Sequence, residues 1–238
     1  MPLVYAHRGG AALRPENTIA AFDHGLSCGA DGLEFDVHLS RDSVVVIHHD
    51  ETLDRMTRGR GRVADHTAAE LAALDVPTLS DVLARYPDIP LIVELKVDSS
   101  ELARRAIDLL RSAGAVDRTA LGCFSYGPLK TAREYEPSLR TGASREEARW
   151  ALYRSWVGWP LGTTPYREFQ VPEQSGLTKI VSPRFIEHAH KWRLPVKVWT
   201  VNEPDDMRRL IAWGVDALIT DRPDLAVPIA RDSRSPAL

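Results

Sequence analysis

The spacing of hydrophobic and polar positions changes repeatedly along the chain, from a period of two to the helical period and back. Short apolar or alternating runs at 3–7 (LVYAH), 32–39 (GLEFDVHL), 43–50, 91–96 (LIVELK), 119–124, 139–143, 168–172, 178–182, 195–201 and 216–220 predict strands. Helical spacing predicts helices at 17–30, 77–87, 100–113, 126–135, 144–153, 183–192 and 203–213, the first of them with Thr18 as its cap. Strands that alternate with helices form a parallel sheet with helices covering it. Roughly eight such units in a chain of 238 residues favour a closed (β/α)8 TIM barrel, a single domain over 1–238, above an open doubly wound sheet. Two stretches break the rhythm: about 51–76, an extended loop with the short helix TAAELAAL, and 154–167, rich in aromatic residues, Gly and Pro. In a barrel, insertions of this kind shape the face that carries the site.

Polar residues interrupt the apolar strands mainly at their ends: His7-Arg8, Glu34, Asp36, His48-His49, Glu94, Lys96, Trp199 and Thr220-Asp221. In a barrel these positions converge on the carboxyl-terminal rim, however far apart they lie in the chain. Along strand 32–39, Leu33, Phe35 and Val37 face one way and Glu34, Asp36 and His38 the other. Glu34 and Asp36 therefore share a face, about 6.6 Å apart at the usual rise of roughly 3.3 Å per residue. With Glu94 they form a set of three carboxylates that repel one another in a rim pocket unless a cation offsets them. Oxygen ligands of this kind suit Mg²⁺ or Ca²⁺ better than zinc. The plainer alternative is a set of surface acids paired with nearby Arg or Lys.

His7 and His49 are the imidazoles best placed to act as general base and general acid on a reacting centre. Arg8 offers a bidentate fork for phosphate, Asp50 is placed to fix the loop of His49, and Lys96 shares a strand face with Glu94. Metal, arginine and lysine together make a clamp for a phosphodiester. His38, on the acidic face, reads as a supporting partner of that cluster.

Composition narrows the setting. A formal net charge of −3 gives no basic footprint for nucleic acid. Cys28 and Cys123 lack metal or redox spacing and read as thiols of a reducing compartment. No apolar run approaches a membrane span and no export signal opens the chain, so the expectation is a cytoplasmic protein without stable membrane insertion.

The segments AHRGGAALRPENT, GADGLEFDVHLSRDSVVVIHHDETLDRMT, LIVELK and VKVWTVNEPDDMRRLIAWGVDALITDRPD, with a weaker GCFSYGPL, resemble the glycerophosphodiester phosphodiesterase family, in family order. The resemblance implies a TIM barrel and metal-assisted hydrolysis of small glycerophosphodiesters to glycerol 3-phosphate and an alcohol. It makes His7 and His49 the acid/base pair, Arg8 and Lys96 the phosphate contacts, and Glu34, Asp36 and Glu94 the metal ligands. Trp199 becomes an aromatic wall for the glycerol side, and Glu16 and Asn17 supports behind the site. A substrate hydroxyl attacks phosphorus first in some relatives of this superfamily. Alternatives within reach are a lysophospholipase D or sphingomyelinase D-like lipid phosphodiesterase, and a catalytically silent barrel that binds a phosphorylated ligand. Departures from the family pattern are Ser43, Met56, the short stretch before PTL, and the basic loop of Arg58, Arg60 and Arg62, for which a solvated loop is favoured over a site for an anionic head group.

Overall fold

The computed structural model describes residues 1–232; the last six positions of the expected 1–238 span lie outside the described residues. The strands are β1 (Leu3–His7), β2 (Gly32–Leu39), β3 (Val45–Ile47), β4 (Leu91–Leu95), β5 (Thr119–Gly122) and β6 (Arg140–Thr141). They continue with β7 (Phe169–Pro172), β8 (Gln174–Ser175), β9 (Thr178–Lys179), β10 (Val196–Trp199) and β11 (Ala217–Thr220). The helices are α1 (Ile19–Ser27), α2 (Ala68–Ala72), α3 (Leu79–Arg85), α4 (Ser100–Ser112) and α5 (Tyr126–Tyr135). Then come α6 (Arg145–Val157), α7 (Pro183–Lys191), α8 (Pro204–Trp213) and α9 (Pro223–Asp232). Eight parallel strands follow the order β6-β5-β4-β2-β1-β11-β10-β7. A parallel bridge between Gly142 and Glu168 joins the two ends of that order and closes the ring of the TIM barrel.

The differences from expectation have local causes. The run at 43–50 forms β3, which pairs antiparallel with β2 outside the ring. The connection between them is far too short for the crossover that a parallel partner requires. At 178–182 only β9 is extended, and it closes a hairpin on β8 around Gly176 at φ +57°. Helix α6 runs on to Val157, so the irregular connection begins at Gly158. Helix α9 is absent from the sequence reading because Pro228, inside it, looks like a breaker; Pro223 at its start is well suited to a first helical position.

Strand β2 is buried on both faces, its outer side chains under helices and its inner ones in the barrel. Leu33, Phe35 and Val37 lie in an apolar layer with Phe22 of α1 and Leu79, Val82 and Leu83 of α3. A second such layer joins β7, β10 and β11 to α6 through α9. The core is thus a sleeve between strands and helices, and each fully buried Phe or Leu in it contributes about 1.5–3 kcal/mol. Inside the ring, Tyr5, Ile92, Ala120, Ala217 and Ile219 fill the lumen. Below the site, Lys197 Nζ lies 2.8 Å from Glu168 Oε1, which also accepts from Gln170 Nε2 at 2.7 Å. Lys197→Met strands the buried Glu168 charge and is expected to cost about 3–5 kcal/mol, read by urea unfolding.

Register sets the site. His7 pairs across to Glu34 in the neighbouring strand, and Asp36 to Glu94 in the next. Four strand-end side chains are thereby brought to adjacent levels of one rim.

Candidate active site

The turn after β1 is built by close packing. A Cβ on Gly9 would stand 2.7 Å from the backbone of Ala21, and one on Gly25 would stand 2.7 Å from the Gly9 carbonyl. Helix α1 therefore seats directly on this turn. Gly9, at φ +85°, serves the close approach of this helix. Arg8 takes a left-handed φ of +50°, held by its N–H donating to the Glu34 carbonyl at 2.8 Å. Backbone strain of this sort is characteristic of functional sites.

A cavity of about 670 Å³ opens at this rim and is lined by His7, Arg8, Glu34, Asp36, His49, Glu94, Lys96 and Trp199, among others. Its two histidines have the same arrangement. His7 Nδ1 lies 2.6 Å from Asp221 Oδ1, and His49 Nδ1 lies 2.6 Å from Asp50 Oδ1. Each ring is oriented through Nδ1, which leaves Nε2 for chemistry. Asp221 is itself held by Asn202 Nδ2 at 2.8 Å, and Asp50 by Arg55 Nε at 2.6 Å. Arg55 also donates to Glu16 Oε1 at 2.7 Å, and Glu16 accepts from Arg8 at 3.0 Å. One guanidinium thus ties the His49 loop to the arginine beside His7.

Glu34, Asp36 and Glu94 each place an oxygen within 4.8 Å of the others, a set able to hold a metal ion. Burial first, then the charges of Asp36 and Glu94, push the Glu34 carboxyl up to about 8, against the lowering influence of His7. For Asp36 burial acts upward too, but Lys96 and Arg8 outweigh it and hold the carboxyl below its ordinary range. Lys96 Nζ stands 3.3 Å from Asp36 Oδ1 and 3.2 Å from Glu94 Oε1. Arg8 Nε stands 3.2 Å from Asp36 Oδ2. Burial lowers both histidines. Glu34 and Asp221 reverse this for His7, whereas His49 stays below its usual value. A pair of imidazoles pushed apart in this way suits opposite proton-transfer duties.

Glu16, Asn17 and His38 stand behind the cavity wall. Asn17 Nδ2 donates to Asp36 Oδ2 at 2.9 Å, and His38 Nε2 lies 3.2 Å from the His49 carbonyl oxygen. Trp199 meets Phe124 edge to face with centroids 5.8 Å apart, forming an aromatic wall. The basic loop does not reach the cavity: Arg58 donates to the Ala73 carbonyl, Arg60 faces Asp54 and Arg62 faces Glu51. Trp156 and Trp159 are exposed and do not line the cavity, whereas Tyr153 of α6 does.

Two supports went unassigned from sequence. Asp221 was visible as a strand-end acid, and the adjacency of the last strand to the first was the missing link to His7. Arg55 had no local signal beyond its place in DETLDRM. Asp221→Asn is expected to lower kcat by about 10–100-fold, as loss of an orienting carboxylate behind an active histidine does, with little change in KM. Steady-state kinetics checks this.

The fold and site define a barrel phosphodiesterase with an acidic set able to hold a metal ion. The sequence model of the glycerophosphoryl diester phosphodiesterase family matches residues 7–225, and the chain belongs to that family. It is 30% identical to a glycerophosphodiester phosphodiesterase of Caldanaerobacter subterraneus subsp. tengcongensis, over 96% of this chain and 98% of the relative. A human lysophospholipase D is 26% identical over 92% of this chain and 82% of its own. Among solved structures, a glycerophosphoryl diester phosphodiesterase of Silicibacter pomeroyi superposes with a TM-score of 0.83 at 26% identity, covering 98% of this chain and 94% of its own. The protein is accordingly a phosphoric diester hydrolase. Among the described residues no helix is long and apolar enough to cross a membrane.

Proposed function

We propose that the protein cleaves small glycerophosphodiesters to glycerol 3-phosphate and an alcohol, with His7 and His49 as the proton-transfer pair and one Mg²⁺ or Ca²⁺ held by Glu34, Asp36 and Glu94. The observation that carries this reading is the doubled carboxylate–histidine arrangement, two Nδ1–oxygen contacts of 2.6 Å opening into one cavity. The donor set fits a hard divalent cation: three carboxylates, oxygen only, two of them buried and the third partly so, with Glu34 lifted to about 8 by burial and then by the charges of Asp36 and Glu94. When bound, such a cation offsets charge that grows on the phosphoryl oxygens.

The remaining work belongs to the chain. Arg8 and Lys96 bind the diester's phosphate and favour the more highly charged transition state. One imidazole takes the proton of the attacking oxygen, and the other returns a proton to the departing alkoxide. Where the attacker is the substrate's own hydroxyl, the alcohol leaves first and water then opens the cyclic phosphate to glycerol 3-phosphate with the two roles exchanged. Asp221 and Asp50 keep both rings in the productive tautomer and stabilise each imidazolium as it forms. Trp199 packs against the glycerol carbons, braced by Phe124. Glu16, Asn17 and His38 hold Arg8, Asp36 and the His49 loop in place. The free thiols of Cys28 and Cys123 support a cytoplasmic setting.

The test is release of glycerol 3-phosphate from glycerophosphocholine, glycerophosphoglycerol and related diesters, with lysophosphatidylcholine alongside. Turnover of the water-soluble diesters is expected. Exclusive turnover of the lysolipid transfers the reading to a lysophospholipase D, and failure with every diester restores the silent barrel.

A further inference from the structure

We infer that Arg145 and Arg149 of α6 form a subsite for a negatively charged substituent on the alcohol half of the diester. The inference rests on the proposed hydrolase reading and adds its substrate class. Both arginines line the same cavity as His7 and His49. They stand at i and i+4, one turn apart on a single helix face, and Tyr153 continues that face a turn later. Arg145 lies with its guanidinium carbon 4.9 Å from the centroid of the Phe124 ring, which braces it beside the aromatic wall.

Neither guanidinium has a carboxylate partner among the described residues. Elsewhere on the same helix the pattern is different, since Arg154 donates to the Leu161 carbonyl, and Glu147, the one acid on this part of the helix with a bridge, is held by Arg133. The acids that line the cavity are Glu34, Asp36 and Glu94, all at the phosphate end. The β8–β9 hairpin, which follows β7 beside β6 in the ring, adds the hydrogen-bonding side chains of Gln174, Ser175 and Thr178 to the cavity lining and no charge. A substrate in this part of the cavity therefore meets two unspent cations.

Glycerol is neutral, so the charge these arginines would bind belongs to the esterified alcohol. A quaternary ammonium there is repelled, whereas a carboxylate or a second phosphate gains charge-assisted hydrogen bonds from a planar fork. Two contacts of this kind at a half-open rim correspond to about a tenfold preference, weakened by salt.

The experiment compares kcat/KM for glycerophosphocholine, glycerophosphoglycerol, its carboxylate analogue glycerophosphoglycerate and its phosphorylated analogue glycerophosphoglycerol phosphate. The expected order places both anionic diesters about tenfold above the neutral one and the choline diester last, with the difference in KM and shrinking as salt rises. Whichever anionic diester leads identifies carboxylate or phosphate as the group recognised. In Arg149→Glu, and in Arg145→Ala/Arg149→Ala, the anionic-to-neutral ratio is expected to fall to one or below. A wild-type ratio near one, or a ratio that survives both variants, overturns the subsite. Calorimetric binding of the same diesters to His49→Ala, with and without Arg149→Glu, reads the preference without turnover. A protein that hydrolyses nothing yet binds the anionic diesters better, through Arg149, keeps the subsite and loses the hydrolase reading; equal binding of all four removes the subsite.

Discussion

His49→Ala is expected to lower kcat by about 10²–10⁴-fold while leaving the fold intact. The reasoning begins with how little else the ring does. Its side chain is 28% exposed and, among the described residues, its one hydrogen bond is Nδ1 to Asp50. The loop that carries it is held independently, by Arg55 spanning Asp50 and Glu16, by His48 against the Thr52 carbonyl, and by His38 against the His49 carbonyl itself. Removing the imidazole is therefore expected to delete the proposed proton transfer and not the loop. His7→Ala is a less clean experiment, because that ring is more enclosed and its loss leaves Asp221 half-buried with Asn202 as its remaining side-chain partner. Thermal melting alongside steady-state kinetics separates the two effects. A His49→Ala protein with near wild-type kcat removes this residue from the mechanism.

Exhaustive chelation is expected to abolish turnover, and Mg²⁺ or Ca²⁺ to restore it. Without a metal ion, burial first and then the charges of Asp36 and Glu94 raise the Glu34 carboxyl to about 8, while Lys96 and Arg8 offset the charge of Asp36. The sign follows directly. Because the folded pKa lies above the unfolded one, the metal-free protein binds more protons than its unfolded chain between about pH 4.5 and 8, and Glu34's contribution to stability falls as pH rises through that window. A cation that needs the carboxylate ionised must displace that proton. Metal binding at neutral pH is thus expected to release close to one proton, measured by calorimetry in buffers of different ionisation enthalpy. The bound protein should also lose the downward slope of stability with pH. Full activity after complete metal removal would sink the metal's role, whatever the cluster's geometry.

Legibility in the sequence followed the range of the interactions. Period-two alternation in GLEFDVHL placed Glu34 and Asp36 on one face, because side-chain direction in a strand is a local property. Their meeting with Glu94 and His7 followed from barrel topology, which puts all parallel strand ends on one rim. The bond between His7 and Asp221 spans 214 positions and depends on β11 lying beside β1. Strand–helix alternation implies a closed ring and not which side chains touch across its seam. Arg55 escaped for a related reason, since its reach to Glu16 crosses between two loops whose mutual approach has no periodicity. The basic loop at 58–62 is a solvated loop, as its composition favours: its acidic partners Asp54 and Glu51 lie close by in the chain. Arg145 and Arg149 were inconspicuous, because which face of α6 meets the cavity is set by how β6, only two residues long, hands the chain to Ser144.

The seam between β1 and β11 ties the orientation of one imidazole to closure of the barrel. His7 and Asp221 lie 214 positions apart and meet only when β11 has taken its place between β1 and β10. If His7 acts as proposed, recovery of turnover during refolding is expected to follow closure of that seam and not the earlier formation of helices.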